Sequence, residues 1–169
     1  MSSKRRKPVK PPACIHCGEL SRPALGAEIY PRSPDIADLR FFKCDECDAF
    51  IGTLKVSGKP LGLPANKELR EIRKLTFDKI KPIYQNAWQH KSYGKIDSSD
   101  QDARMSIQRS AKKRVYMSIA ANMGIPYETC KVTHFGIDEC REAYRLALRM
   151  DYGTVRAWYK EVHGKKPKS

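Results

Sequence analysis

Cys14 and Cys17, in Cys-Ile-His-Cys-Gly, and Cys44 and Cys47, in Cys-Asp-Glu-Cys-Asp, form two C-x-x-C pairs in the first third of the 169-residue chain. Each pair can bend the backbone into a knuckle that turns two sulfurs toward one ion. Two knuckles together supply four thiolates, the complete tetrahedral shell of zinc. A shell closed in this way leaves no position for water or substrate, so the expected cofactor is one structural Zn2+ that holds the fold and does not catalyse. Gly18 suits a left-handed turn that lets amide hydrogens point at sulfur, which supports the first knuckle as a ligand loop. His16 lies inside that knuckle, but four sulfurs already fill the tetrahedron, and the ring is expected to face solvent.

The elements that must position these thiols are short. Between the pairs, the 26 residues from Gly18 to Lys43 accommodate two strands, Ala27 to Tyr30 and Arg40 to Lys43, around a Pro31-Arg32-Ser33-Pro34-Asp35 turn. A third strand is expected at Ala49 to Lys55. A ribbon of about 45 residues buries too little apolar surface to offset its chain entropy, so metal–ligand bonds must supply much of its stability.

The rest of the chain reads as helical. Asn66 caps a helix on which Leu69, Ile72, Leu75, Thr76 and Ile80 recur at helical spacing, while Lys67, Glu68, Arg70, Glu71, Arg73 and Lys74 fill the wet faces. Pro82 is expected to kink or end it. A second helix from about Asp102 to Met123 aligns Ile107, Ala111, Val115, Ile119 and Met123, and Gly124 and Pro126 stop it. Asp138 is expected to cap a third helix, with Cys140, Ala143, Tyr144, Ala147 and Leu148 inward. Thr154 is expected to cap a last one that buries Val155, Trp158 and Val162. The expected fold class is therefore α+β: a small N-terminal β zinc ribbon followed by a helical C-terminal domain. Its divisions are a disordered basic arm at 1–12, the ribbon at 13–57, a Gly- and Pro-rich linker at 58–65, the helical domain at 66–163 and a basic tail at 164–169.

Charge points to a partner. Thirty-three Lys and Arg against nineteen Asp and Glu give a formal charge of +14. Four thiolates and a divalent ion would leave about +12, still a field that attracts polyanions. The candidate phosphate contacts are Lys4, Arg5, Arg6 and Lys7 in the arm, and Arg104, Arg109, Lys112, Lys113 and Arg114 along the second long helix, where no acid interrupts the stretch from Arg104 to Tyr127. Tyr30, Phe41, Phe42 and Phe50, near Arg32, Arg40, Lys43 and Lys55, offer either a base-stacking face or the ribbon's own small core. No signal peptide or membrane span is recognisable, and spaced metal-binding cysteines without an export signal fit a reducing cytoplasm.

Signals for an enzyme are missing. Cys130, His134 and Cys140 offer only three ligands, and Cys140 falls on an apolar stripe, so buried thiols and a hydrogen-bonded histidine are the better reading than a second metal. Asn86 and His90 only approximate an HNH-type nuclease site, with no Asp-His or His-His pair before them. There is no phosphate-cradling glycine loop, nucleophile elbow or H-E-x-x-H helix, and no small-molecule substrate is evident.

The first block, Cys14-x-x-Cys17-Gly18, Tyr30, Phe42-x-Cys44-Asp45-x-Cys47-Asp48-Ala49, Gly52, Pro60-Leu61-Gly62 and Ala65-Asn66-x-x-Leu69-Arg70-x-x-Arg73, resembles the zinc-finger-containing domain family of phage and bacterial proteins. Tyr116-x-x-Ile119-Ala120-x-x-x-Gly124-Ile125 and Thr133-His134-Phe135-Gly136 with Cys140 are similar to that family's second half. The chain departs from the family pattern around Phe77-Asp78, where Leu75 or Thr76 stands in place of a His and Ile80 or Ile83 in place of a Trp. The resemblance implies zinc binding and a phage or bacterial setting, hence the cytoplasm of a bacterium or of a phage's host, and supplies no reaction. The leading expectation is a nonenzymatic nucleic-acid-binding protein. The contending one is a protein-interaction module, such as a phage-encoded adaptor or inhibitor of a host machine, since ribbons serve both ends.

Overall fold

The computed structural model describes residues 9–164 and has a mixed α+β architecture, a three-stranded antiparallel sheet followed by helices. The chain divides into two compact units at the Arg70–Glu71 bond.

The first unit is built on β1 (Arg22–Leu25), β2 (Arg40–Cys44) and β3 (Ala49–Gly52), in that order across the sheet. Register runs from Arg22 opposite Lys43 to Leu25 opposite Arg40, and from Phe41 opposite Gly52 to Cys44 opposite Ala49. Side chains alternate across the pleat, so Phe42 and Cys44 are buried on one face while Phe41 and Lys43 are half-buried on the other. On the Phe41 face, Tyr30, Phe41 and Phe50 meet edge to face with ring centroids 5.5–6.0 Å apart. The Arg70 guanidinium lies 3.9 Å above the Phe50 ring. Three of the four ribbon aromatics thus form a cluster among themselves, and the fourth, Phe42, is 5 % exposed.

The first strand lies earlier than expected. Ala27 to Tyr30 is not a strand; Gly26–Ile29 makes one helical turn, α1. The cause is backbone packing: Gly26 and Ala27 donate their N–H groups to Leu39 and Ala37, and a Cβ at Gly26 would fall 1.8 Å from the Ile36 carbonyl oxygen. Only glycine permits that approach. Pro23 hid the true strand, yet β1 sits at the sheet edge, where a missing N–H is tolerated. The third strand is also shorter than expected: Thr53 still donates to the Arg40 carbonyl, but the chain then turns back, with Leu54 accepting from Gly58 and donating to Lys59. Residues 58–65, linker-like in composition, run along β3: Leu61 donates to Gly52, and Phe50 and Ala65 exchange both backbone bonds. Asn66 caps α2 (Lys67–Gln85) by accepting from the Leu69 N–H at 3.0 Å.

In the second unit, α2 continues through Pro82 to Gln85. The proline removes one N–H near the helix end, and its own carbonyl still accepts from Asn86. Arg73, expected on a wet face, is instead buried, with Nε donating to the Phe135 carbonyl at 2.9 Å, whereas Leu75 is exposed. Thr76 is buried and its hydroxyl donates to the Ile72 and Cys140 carbonyls. Helix α3 (Gln101–Met123) is capped by Asp100, which accepts from Ala103, and ends at Gly124 with φ +66°. Ala111, Val115 and Ile119 are its buried stripe, with Ile107 and Met123 half-buried at either end. Helix α4 (Ile137–Leu148) starts one residue before Asp138: Gly136 is the cap residue and its N–H donates to Glu139 at 2.6 Å. Cys140, Ala143 and Ala147 point into the core, while Tyr144 and Leu148, expected inward, are exposed. Helix α5 (Tyr152–His163) is capped by Asp151, whose carboxylate accepts from Gly153 and Thr154; Thr154 sits three residues inside. Val155 and Tyr152 are buried, Trp158 is half-buried and Val162 is exposed.

Candidate metal centre and cationic surface

The cysteines are positioned by two tight turns. In the first, Gly18 adopts φ +81° and donates its N–H to the Cys14 carbonyl at 2.9 Å, while Cys14 and Glu19 are tied by a backbone bond of 2.8 Å. The second turn is the hairpin between β2 and β3, closed by the Cys44–Ala49 pair, with Asp48 at φ +46°. The left-handed residue closes each turn one position after its second cysteine.

All four Sγ atoms lie within 4.8 Å of one another, and Cys17 and Cys44 are 3.6 Å apart. Zinc–sulfur bonds of about 2.3 Å give a tetrahedral edge of about 3.8 Å, so the four thiols fit one ion as they stand. Cys14 and Cys44 are buried against Ala49 with Cys47 beside them, and Cys17 is exposed. Burial opposes ionisation of Cys14, but amide donation from His16 and Cys17 and bonds from neighbouring thiols outweigh it and hold its pKa below the ordinary thiol value. The bond to Cys17, then burial, pushes Cys47 up to about 12. A divalent ion displaces the thiol protons as it binds. The donor set of four sulfurs with no open position suits structural zinc.

Two features brace the knuckles. Arg22 on β1 grips Asp45, inside the second knuckle, through Nε at 2.7 Å and Nη2 at 2.8 Å, and also grips Glu28 on α1 at 2.6 and 3.0 Å. These hydrogen bonds raise the arginine pKa and hold both carboxylates below their usual range. All three are solvent-exposed, so their value lies more in fixing β1 against the turn than in free energy. His16 is exposed and is no ligand; its Nε2 accepts the Asn66 N–H at 3.2 Å, tying the first knuckle to the start of α2. That role has no signature in the sequence around His16.

In the second unit Cys130 and Cys140 are buried, and among the described residues the four ribbon cysteines are the sole group placed to hold a metal. Burial pushes the Cys130 thiol up to about 11. Burial, with Lys131 and Arg73 nearby, lowers the His134 pKa.

The expected cationic ridge separates into two kinds of side chain. Arg104 stacks on Trp88 at 4.6 Å and donates to the Ser98 carbonyl. Arg114 donates to the Tyr93 and Tyr152 hydroxyls at 2.9 and 2.7 Å and lies 5.3 Å from the Tyr159 ring. Both are engaged in internal bonding that helical periodicity does not reveal. Arg109, Lys112 and Lys113 are exposed, and no described carboxylate makes an ion pair with them. They edge a groove of about 600 Å³ that also gathers Phe77, Tyr127 and Lys131, residues that the sequence did not associate with the ridge because α2 and the segment after α3 supply them. Lys4, Arg5, Arg6 and Lys7 lie outside the described residues.

Comparison with known proteins adds one match. The model of a family described as a zinc-finger-containing domain matches residues 10–150, and no curated protein or solved structure matches the chain. No described helix is long and apolar enough to cross a membrane.

Proposed function

We propose that this chain, which belongs to the zinc-finger-containing domain family, is a nonenzymatic nucleic-acid-binding protein whose ribbon is held by one structural zinc. The observation that carries the reading is the exposed trio Arg109, Lys112 and Lys113, three cations within little more than one helical turn and without a paired carboxylate among the described residues. Helix α3 carries no acid after Asp102, so the field along this face is uniformly positive and attracts polyanions. The whole-chain charge of +14 favours the same partner, and the cytoplasm of a bacterium or a phage's host is the setting we assign to it. The closed four-sulfur shell and the buried, protonated Cys130 support a role without catalysis.

The test is the salt dependence of binding to labelled oligonucleotides, with Lys112→Gln/Lys113→Gln beside the parent. Removing a cation that pairs with a phosphate should flatten the slope of log K against log salt by about 0.9 on duplex DNA and about 0.7 on single strands, uniformly across sequences. Absence of binding near physiological salt, or an unchanged slope in the double variant, would give the chain to the protein-interaction class instead.

A further inference from the structure

Resting on the nucleic-acid reading, we infer that the groove beside α3 is a binding site for single-stranded nucleic acid, with bases stacked on Phe77 and Tyr127 and phosphates held by Arg109, Lys112, Lys113 and Lys131. The groove is divided by chemistry. Its floor is neutral: Tyr116, Cys130 and Val132 are buried, and burial raises the pKa of both the Tyr116 phenol and the Cys130 thiol, so neither carries charge near neutrality. Its rim is cationic on both sides, with the three α3 residues along one and Lys131 on the other, against a single carboxylate, Glu128.

Phe77 on α2 and Tyr127 just beyond α3 are 36 % and 38 % exposed, although each borders a pocket that could have hidden it. A ligand matched to this site has flat apolar faces and an anionic periphery. A duplex presents phosphates and base edges but keeps its base faces stacked inside, and would leave both rings without a stacking partner. A single strand offers bases to the rings and phosphates to the rim together. Along α3, Arg109 and Lys113 are separated by about 6 Å of helix rise, a step comparable to that between successive phosphates of an extended strand. An unstructured acidic peptide would satisfy the rim and leave the rings idle.

Fluorescence anisotropy on the zinc-loaded full chain decides it, using labelled oligo-dT and oligo-rU of ten nucleotides, a hairpin duplex of equal charge and a poly-glutamate peptide. The expected result is preference for a single strand over the hairpin, with the DNA and RNA arms showing which sugar is favoured. Tyr127→Ala and Phe77→Ala should each weaken single-strand binding by roughly five- to a hundredfold and leave the salt slope unaltered, since no charge is removed. If either alanine variant unfolds by circular dichroism, Tyr127→Leu and Phe77→Leu keep apolar bulk without a stacking face and should show the same loss. Equal affinity for hairpin and single strand, with aromatic variants indistinguishable from the parent, overturns the groove while the nucleic-acid reading stands. Binding of poly-glutamate alone overturns both.

Discussion

The two units of this chain hold their structure by different means. In the first, apolar burial is thin: Phe42 and Phe50 are its large fully enclosed rings, and four sulfurs converge where a core would otherwise be needed. In the second, buried Ile80, Val115, Ile119, Phe135 and Val155 fill a conventional interior, and its two cysteines are buried among apolar side chains. The same residue type is thus a ligand in one unit and packing in the other. Spacing marks the difference: the ligands come as pairs of thiols within one tight turn, whereas Cys130 and Cys140, in separate segments, join no group placed to hold a metal among the described residues.

The sharpest way to break this comparison is to remove one thiolate. Cys44→Ser should abolish stoichiometric zinc and unfold the ribbon, since structural zinc supplies about 10–16 kcal/mol in small domains, while most helical circular dichroism persists. Loss of the helical signal in the same transition would show one cooperative unit in place of two. The complementary change is Phe135→Ala, which should cost about 3–5 kcal/mol by denaturant unfolding followed through the helical signal, with zinc content unaffected.

Arg114→Ala should then separate structural cations from exposed ones. Removing a half-buried guanidinium that bonds two phenols should cost about 1–3 kcal/mol of stability and leave oligonucleotide affinity near that of the parent. Lys113→Ala should do the reverse, with affinity falling and the melting temperature unmoved. The smallest effect is expected from His16→Ala. Its Nε2 accepts one exposed amide, so the loss should stay under about 1 kcal/mol, with one zinc per chain retained.

What was legible in the sequence follows the same division. The metal site could be read outright because ligand chemistry is local: two C-x-x-C turns and Gly18 are visible in a handful of adjacent residues. Helix α3 was legible because Gly124 and the Ala111-Val115-Ile119 stripe are local as well. The misplacement of β1 came from a tertiary fact, the close approach of Gly26 to Ile36, which holds Gly26–Ile29 in a helical turn where a strand was expected. Arg73 looked wet because it is charged, but the partner that makes its burial tolerable, the Phe135 carbonyl, is 62 positions away. The groove beside α3 escaped for the same reason, since Phe77, Tyr127 and Lys131 converge only through the packing of separate segments.

Zinc K-edge X-ray absorption on purified protein, with the metal quantified in the same sample, tests the central claim most directly. One zinc per chain with four sulfur scatterers at about 2.3 Å is the expected result. A nitrogen scatterer in the shell would place His16 or another histidine among the ligands, and a second equivalent of zinc would mean that Cys130, His134 and Cys140 bind metal after all; either would contradict the single four-thiolate site.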